Sequence, residues 1–151
     1  MSEIESAIPA PRSGLSWLPL AAAFVALVGL CDSIYLTVHH YTAEPVPCSI
    51  IEGCETVLTS SYAEIAGIPL AAFGAIAYFA AFALSLLTAF GDRRMWTLFG
   101  VVVVLMALFS LWLIYVQGFL IGAFCQFCLL SAATTFTLLI LFGISRVPRF
   151  R

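Results

Sequence analysis

Four of the five cysteines in this 151-residue chain stand in pairs, and paired thiols can exchange disulfides or bind a metal. Cys48 and Cys54 lie close together in one segment, whereas Cys125 and Cys128 form a C-x-x-C motif in another. On a helix, the two sulfurs of that motif share one face. Three kinds of chemistry fit the pattern: structural disulfides, a zinc site with four thiolates, or a relay in which the two pairs exchange disulfides.

The spacing favours the relay. Gly118 and Gly122 interrupt the helical pattern before the C-x-x-C motif, which is therefore predicted to occupy the first turn of the last helix. Free N–H groups and the helix dipole stabilise a thiolate there. A bridge across so short a loop removes little entropy from the unfolded chain, which argues against a purely structural role. Zinc sites more often use two short knuckles, so no metal is expected.

The composition places the chain in a membrane. It is 63% hydrophobic and only 9% charged, too few polar side chains to cover a water-soluble domain. A membrane-spanning segment must satisfy its own backbone hydrogen bonds, which predicts helices. An all-α bundle of four transmembrane helices is expected in residues 15–146, with tails at 1–14 and 147–151. The four predicted spans, each about 20 residues long, are roughly 16–39, 68–90, 95–116 and 123–144.

The cationic residues predict the orientation. All six are arginines, in the N-terminal tail, the turn between spans two and three, and the C-terminal tail: Arg12, Arg93, Arg94, Arg146, Arg149 and Arg151. The positive-inside rule makes that side, with both termini, cytoplasmic. The first outward loop carries Glu44, Glu52, Glu55 and Glu64 instead. The paired cysteines are thus expected on the outer face of a prokaryotic plasma membrane, where disulfides persist.

Two residues of span one have no role in this pattern. Cys31 is predicted to be a buried free thiol, since cysteine packs readily among apolar side chains. Asp32 is costly inside a membrane unless it is paired or faces a polar cavity. A hydrogen bond between helices involving Ser33 and Tyr35, or a role in proton relay, explains it equally well.

The order of these features resembles the prokaryotic branch of the vitamin K epoxide reductase family, from about Leu30 to Ser131. Any one of the motifs is common, but their order is specific. The matching features are Cys48, Gly53, Cys54, Val57 and Ser60 in the loop, GIPLAAFGAIAY at the start of span two, and CQFC at the start of span four. The resemblance implies a four-helix bundle around a quinone such as ubiquinone or menaquinone, with a short helical cap in the first outward loop.

The resemblance also implies a role for each site residue. Cys48 would be the outer thiol that meets a soluble or anchored thioredoxin-fold (DsbA-like) partner on the outer side. Cys54 would exchange with the helix pair by attacking Cys125. Cys128 would face the quinone, and Ser60 would hydrogen-bond near it.

Some positions depart from the family pattern. Animal members have an asparagine near the start of span two and a tyrosine one turn after C-x-x-C, where this chain has Leu70 and Ala132. The departure favours a plain quinone over an epoxide as electron acceptor. Ser61 replaces Ser60 if the alignment shifts by one residue. No thioredoxin-like domain follows span four, so a separate partner is expected.

The sequence therefore predicts a quinone-dependent thiol–disulfide oxidoreductase that also contacts lipid and does not bind nucleic acid. Three alternatives stay open. A disulfide generator of the DsbB type also has four spans, but there the C-x-x-C pair lies in the first outward loop. A zinc-stabilised, non-enzymatic membrane scaffold would require bound metal. A small transporter subunit would require a polar path, for which only Asp32 speaks.

Overall fold

Four long helices and a short connecting segment make up residues 17–147, the part of the chain that the computed structural model describes. All four helices are long and apolar enough to cross a membrane, which confirms the predicted all-α four-helix bundle. The short α2 is the predicted cap in the first loop. The elements are α1 (Trp17–Thr42), α2 (Cys54–Leu58), β1 (Glu64–Ile65), β2 (Ile68–Pro69), α3 (Leu70–Ala89), α4 (Arg93–Tyr115) and α5 (Gln126–Arg146). The predicted tail at 1–14 and residues 148–151 lie outside the described residues.

The helices are longer or shorter than predicted at the end that carries the cysteines. Helix α1 continues to Thr42 rather than ending near residue 39. Span three reaches Ile121 rather than 116, because a π-helical segment, Val116–Ile121, continues α4 without a break. The predicted interruption at Gly118 was wrong, since a single glycine costs a helix only about 1 kcal/mol. Gly122, in the left-handed region at a φ of 71°, ends the segment instead.

Span two begins at Leu70 rather than at 68, because the two preceding residues belong to a hairpin that the sequence did not predict. Strands β1 and β2 pair in antiparallel fashion, with Ile65 opposite Ile68. The two turn residues, Ala66 and Gly67, both have positive φ values of 53° and 79°, as a tight hairpin turn requires. Strands of two residues are too short to show an alternating pattern, so only the turn could have indicated them.

Small residues let the helices approach closely. Helix α1 packs on α3 and α5, and α4 packs on the same two helices from the other side, so the four form a ring. Ala22 and Ala26 of α1 and Ala81 of α3 are fully buried in this interface. A Cβ atom on Gly29 would overlap the ring of Tyr78. Close packing of small side chains contributes to helix association in lipid, where the hydrophobic effect does not drive it.

The end of the bundle that carries Arg93 is closed by aromatic packing. Trp96 stacks on Phe99 with ring centroids 4.5 Å apart, and its indole N–H donates to Ser145 Oγ at 2.7 Å. Asp92 caps α4 by accepting from the backbone N–H of Arg94 at 3.0 Å. A cavity inside the ring of helices opens toward the other end, where the cysteines lie.

Candidate functional site

The loop cysteines are joined in a disulfide. Cys48 and Cys54 are bonded to each other, with their Cα atoms 6.3 Å apart. Cys54 begins α2 and is only 1% exposed, whereas Cys48 is half-buried. Cys48 is consequently the sulfur of this pair that a molecule from outside reaches more easily.

The helix cysteines lie at the start of α5, where the sequence placed them, and both are free thiols. Cys125 is the residue before the helix and is fully buried, and Cys128 follows in the first turn and is half-buried. The backbone N–H of Cys125 donates to Gln117 Oε1 at 3.0 Å. Gln117 is 3% exposed and lies in the π-helical segment, a kind of distortion frequent at functional sites.

One buried cluster brings the two pairs together. Its fully packed members are Cys54, Val57 and Cys125, and both Cys48 and Cys128 pack against it. The inner sulfur of the loop pair and the first sulfur of the helix pair therefore share one apolar environment.

Backbone contacts hold the loop in this position. The backbone N–H of Ile50, between the two loop cysteines, donates to Gln126 Oε1 at 3.1 Å. A Cβ atom on Gly53 would overlap the carbonyl oxygen of Phe124. The chain next to Cys54 thus touches the chain next to Cys125 directly, which is possible only because residue 53 has no side chain.

The environment of Cys125, which lies just before the span formed by α5, makes it the more acidic thiol. A hydrogen bond from the Cys128 thiol is the largest cause, since it stabilises the Cys125 thiolate. Burial opposes the effect, and the backbone N–H groups of Cys128 and Phe127 add to it. The pKa of Cys125 is lowered to about 7, so a large share of this thiol is ionised near neutral pH.

A cavity of about 920 Å³ lies inside the ring of helices next to Cys128. It is lined by all four long helices and by the segment after α2, including Ser60 and Ser61. Leu70 and Ala132, the two positions at which the sequence departs from the family pattern, both line the cavity. Its volume is within the range of small-molecule sites, about 300 to 1,000 Å³, and its lining is mostly apolar, as in such sites.

Ser60 follows α2 and is held by a hydrogen bond to that helix. Its hydroxyl donates to the carbonyl oxygen of Val57 at 2.7 Å, which leaves the lone pairs of Oγ free to accept. The neighbouring Ser61 also lines the cavity, so both serines considered from the sequence stand at the same wall.

A group of hydroxyls deep in the cavity was not predicted from the sequence. The hydroxyl of Tyr78 lies 2.6 Å from the carbonyl oxygen of Ser131, 2.7 Å from Thr134 Oγ1 and 2.8 Å from Thr135 Oγ1. Tyr78 ends the GIPLAAFGAIAY motif, and the residues that it meets are spaced on one face of α5. That spacing of polar residues in an apolar span is the signal that could have revealed them.

Asp32 also lines the cavity. It is 8% exposed, and its Oδ2 has no hydrogen-bond partner among the described residues. The carboxylate therefore lacks the pairing between helices with Ser33 and Tyr35 that the sequence left open.

The predicted burial of Cys31 was wrong, because its side chain is exposed on the outside of the bundle. Adjacent helical residues point about 100° apart, and in this turn of α1 Asp32 and Ser33 are the buried residues.

Ionisable residues surround the opening of the cavity. His40 Nε2 lies 3.7 Å from Glu64 Oε2, and His39 Nδ1 lies 3.3 Å from the carbonyl oxygen of Glu44. Within residues 17–147, no group of three or more His, Cys, Asp or Glu residues is placed to hold a metal ion. The sulfurs of the loop pair are bonded to each other.

A membrane bundle that holds a disulfide beside two free thiols has the groups that disulfide exchange requires. The comparison with known families agrees. The model of the vitamin K epoxide reductase family matches residues 20–142, which covers all four cysteines of the site. The chain belongs to this family, whose members are oxidoreductases with disulfide-linked activity in membranes.

Proposed function

We propose that this protein is a quinone-dependent thiol–disulfide oxidoreductase. It would take two electrons from a thioredoxin-fold partner and deliver them to a membrane quinone such as ubiquinone or menaquinone. One observation carries the proposal: a single buried cluster joins Cys54 to Cys125, and Cys128, beside Cys125, lines the large cavity. The cysteines thus form a continuous path from the loop to the cavity.

The cavity suits a flat apolar ring with polar edges. It offers apolar walls from the helices, hydroxyls at Ser60 and Ser61, and the sulfur of Cys128. When bound there, a quinone supplies a two-electron acceptor that also takes up two protons. Leu70 and Ala132 add no polar group that would hold an epoxide, which supports a plain quinone as the acceptor.

The first exchange takes place at the loop pair. A partner thiolate attacks Cys48, the more accessible sulfur, so that the Cys48–Cys54 bond breaks and a mixed disulfide forms. The second partner thiol then attacks that mixed disulfide and releases the partner as a disulfide. Cys48 and Cys54 now hold the two electrons as thiols.

The second exchange passes the electrons inward. The Cys54 thiolate attacks Cys125 in the oxidised helix pair, and Cys128 leaves as the thiolate. Cys48 then attacks Cys54 and restores the loop disulfide, which frees Cys125. The result is a loop disulfide beside two helix thiols, the arrangement seen in the structure. Oxidation at the cavity closes the Cys125–Cys128 bond and completes the cycle.

The orientation of the protein is part of the proposal. The described arginines Arg93, Arg94 and Arg146 lie at the closed end of the bundle, and the loop glutamates lie at the cysteine end. The positive-inside rule then directs the cysteines to the outer side of a prokaryotic plasma membrane. A thioredoxin-fold partner would meet Cys48 there.

Turnover of the purified protein tests the proposal. A reduced thioredoxin-fold protein should be oxidised while ubiquinone-1 or a menaquinone analogue is reduced, in equal amounts. Cys48→Ala should abolish oxidation of the protein partner, yet leave quinone reduction by dithiothreitol largely intact, because a small dithiol reaches the inner cysteines directly.

Cys31→Ala is the matched control, since this fifth cysteine lies on the outside of the bundle and should be dispensable. Equal loss of both activities in Cys48→Ala would contradict the order of the relay. If the wild-type protein reduces no quinone with either donor, the function itself is wrong.

A further inference from the structure

The proposed relay assigns no role to Asp32, an ionisable residue of the cavity. Asp32 is more than nine-tenths buried, faces the same cavity as Cys128, and has an Oδ2 atom without a hydrogen-bond partner among the described residues. A carboxyl group in such a place is costly to keep and is retained chiefly at proton relays, ion paths and ligand sites. Its position calls for a chemical role.

Asp32 lies at the depth of the other polar groups of the cavity. It is ten residues from the end of α1, which is about 15 Å along the helix axis. Tyr78 is eight residues into α3 and Thr135 nine residues into α5, which places them about 12 and 14 Å from the same end. Asp32 and the hydroxyl cluster thus lie at about the same depth in the cavity.

The cavity lining contains groups that can exchange protons with Asp32 but no permanently charged cation that could pair with it. Helix α3 presents Tyr78 to the cavity, and α5 presents Cys128. Among the described residues that line the cavity, none is Arg or Lys. The remaining ionisable residues of the lining, nearer its opening, are His39, His40, Glu44, Glu55, Tyr62 and Glu64.

We propose that Asp32 is the proton-transfer residue of the cavity and carries the proton of the Cys128 thiol to the bound quinone. The inference rests on the proposed function. Oxidation of the helix pair forms one S–S bond and releases two electrons and two protons. The electrons go to the quinone. The Cys125 proton goes to water, and the Cys128 proton goes to Oδ2 of Asp32, where it relieves an unpaired buried charge.

Reduction of the quinone consumes two protons, which come from two different sources. Asp32 gives up the proton that it took from Cys128 and returns to the carboxylate, and the second proton comes from water at the opening of the cavity. Atoms and charges therefore balance over one cycle. A residue in this role contributes to the rate as a general acid–base group, typically 10²- to 10⁴-fold.

Single-turnover kinetics test the role. The enzyme is reduced with dithiothreitol and mixed with ubiquinone-1 over a range of pH. We expect Asp32→Asn to slow quinone reduction about a hundredfold, in kcat rather than in KM, and to flatten its pH profile. Asp32→Glu should restore much of the rate, because it keeps a carboxyl group. Ser85→Ala is the control: Ser85 is fully buried but bonds within its own helix to Phe82, away from the cavity.

A second readout does not depend on activity. Dicyclohexylcarbodiimide, an apolar reagent that modifies protonated carboxyl groups, should label Asp32 of the wild-type protein increasingly as the pH is lowered, because the resting carboxylate then takes up a proton. Peptide mass spectrometry detects the adduct. Ubiquinone-1 should protect Asp32. Asp32→Asn should show no adduct at this position and should melt no earlier than the wild-type protein, since an amide removes an unpaired buried charge.

The results separate the two proposals. If wild-type protein reduces quinone and Asp32→Asn does so at the same rate, or changes only KM, the role of Asp32 is wrong and the proposed function stands. The same holds if no adduct forms at Asp32. If wild-type protein reduces no quinone, the proposed function fails and the proton-transfer role fails with it.

Discussion

A side chain at position 53 would collide with the backbone on the other side of the relay. Because the Cβ atom would overlap the carbonyl oxygen of Phe124, Gly53→Ala must push the loop away from the start of α5. Displacements of about 1 Å can cost a reaction a hundredfold. We expect partner-driven quinone reduction to fall by about that factor.

The control for this substitution is Gly143→Ala, since no atom lies within 4 Å of a Cβ placed there. It should leave the rate unchanged and stabilise α5 by up to about 1 kcal/mol. Initial rates with the protein partner measure the first effect and unfolding in detergent the second. Equal rates for Gly53→Ala and wild type would show that the close approach is not required.

The acidity of Cys125 gives a prediction about pH. Its pKa of about 7 means that the thiolate becomes the major form as the pH rises through neutrality. In a Cys48→Ala/Cys54→Ala background, the rate of its reaction with methyl methanethiosulfonate should rise through that range and then level off. Cys128→Ala removes the main hydrogen-bond donor, so the rise should move upward, toward the ordinary value near 8.5.

Peptide mass spectrometry with fragmentation at each pH measures the rate at Cys125 separately from those at Cys31 and, where it is still present, Cys128. A profile that does not respond to Cys128→Ala would contradict the hydrogen bond as the cause.

At the residue scale, the sequence predicted the four cysteines and Ser60 as site residues but not the residues that position them. Paired cysteines can be recognised from residue type and spacing alone, because the expected chemistry requires sulfur at those positions. Gln117 and Gln126 act through single hydrogen bonds to backbone N–H groups of distant residues. Nothing in a linear sequence distinguishes such glutamines from solvent-exposed ones, so only the fold shows them.

At the element scale, helices α3 and α5 are joined by one aromatic hydroxyl. Tyr78 reaches across to four oxygen atoms of α5, whereas Ser85 and Thr88 of α3 bond only to their own helix. Hydrogen bonds between membrane helices contribute about 0.6 kcal/mol on average and up to about 1.7. Tyr78→Phe should therefore lower the free energy of unfolding by about 1 kcal/mol.

Thr88→Ala is the matched control and should change stability by less. Unfolding in mixed micelles, followed by circular dichroism, gives both values. If Tyr78→Phe is as stable as wild type, the hydroxyl cluster does not hold the helices together.

The long helices followed from the sequence, but their ends at the site did not. Apolar runs of about 20 residues are unambiguous because the bilayer sets their length. The π-helical segment and the hairpin before α3 depend on local contacts: the π-helical segment places Gln117 under Cys125, and the turn at Gly67 needs positive φ. Hydropathy does not report such details.

At the scale of the whole molecule, the distribution of charge predicts the topology. A membrane-impermeant maleimide applied to intact, pre-reduced cells should label Cys48. In Asp92→Cys, the new thiol should stay protected until the membrane is opened, because Asp92 lies at the arginine end. Labelling at position 92 with none at Cys48 would invert the orientation and place the cysteines on the reducing side.

The transfer between the loop and the helix pair is the central claim, and trapping its intermediate tests it most directly. In Cys48→Ala/Cys128→Ala, the natural partners of Cys54 and Cys125 are gone, while both sulfurs remain in one buried cluster. Mild oxidation should then join Cys54 to Cys125 within one chain, as mapped by mass spectrometry under non-reducing conditions. The control, Cys48→Ala/Cys125→Ala, leaves Cys54 with Cys128 and should crosslink more slowly. If the control crosslinks as fast, or if Cys54 and Cys125 stay free after full oxidation, electrons do not pass between the pairs by this route.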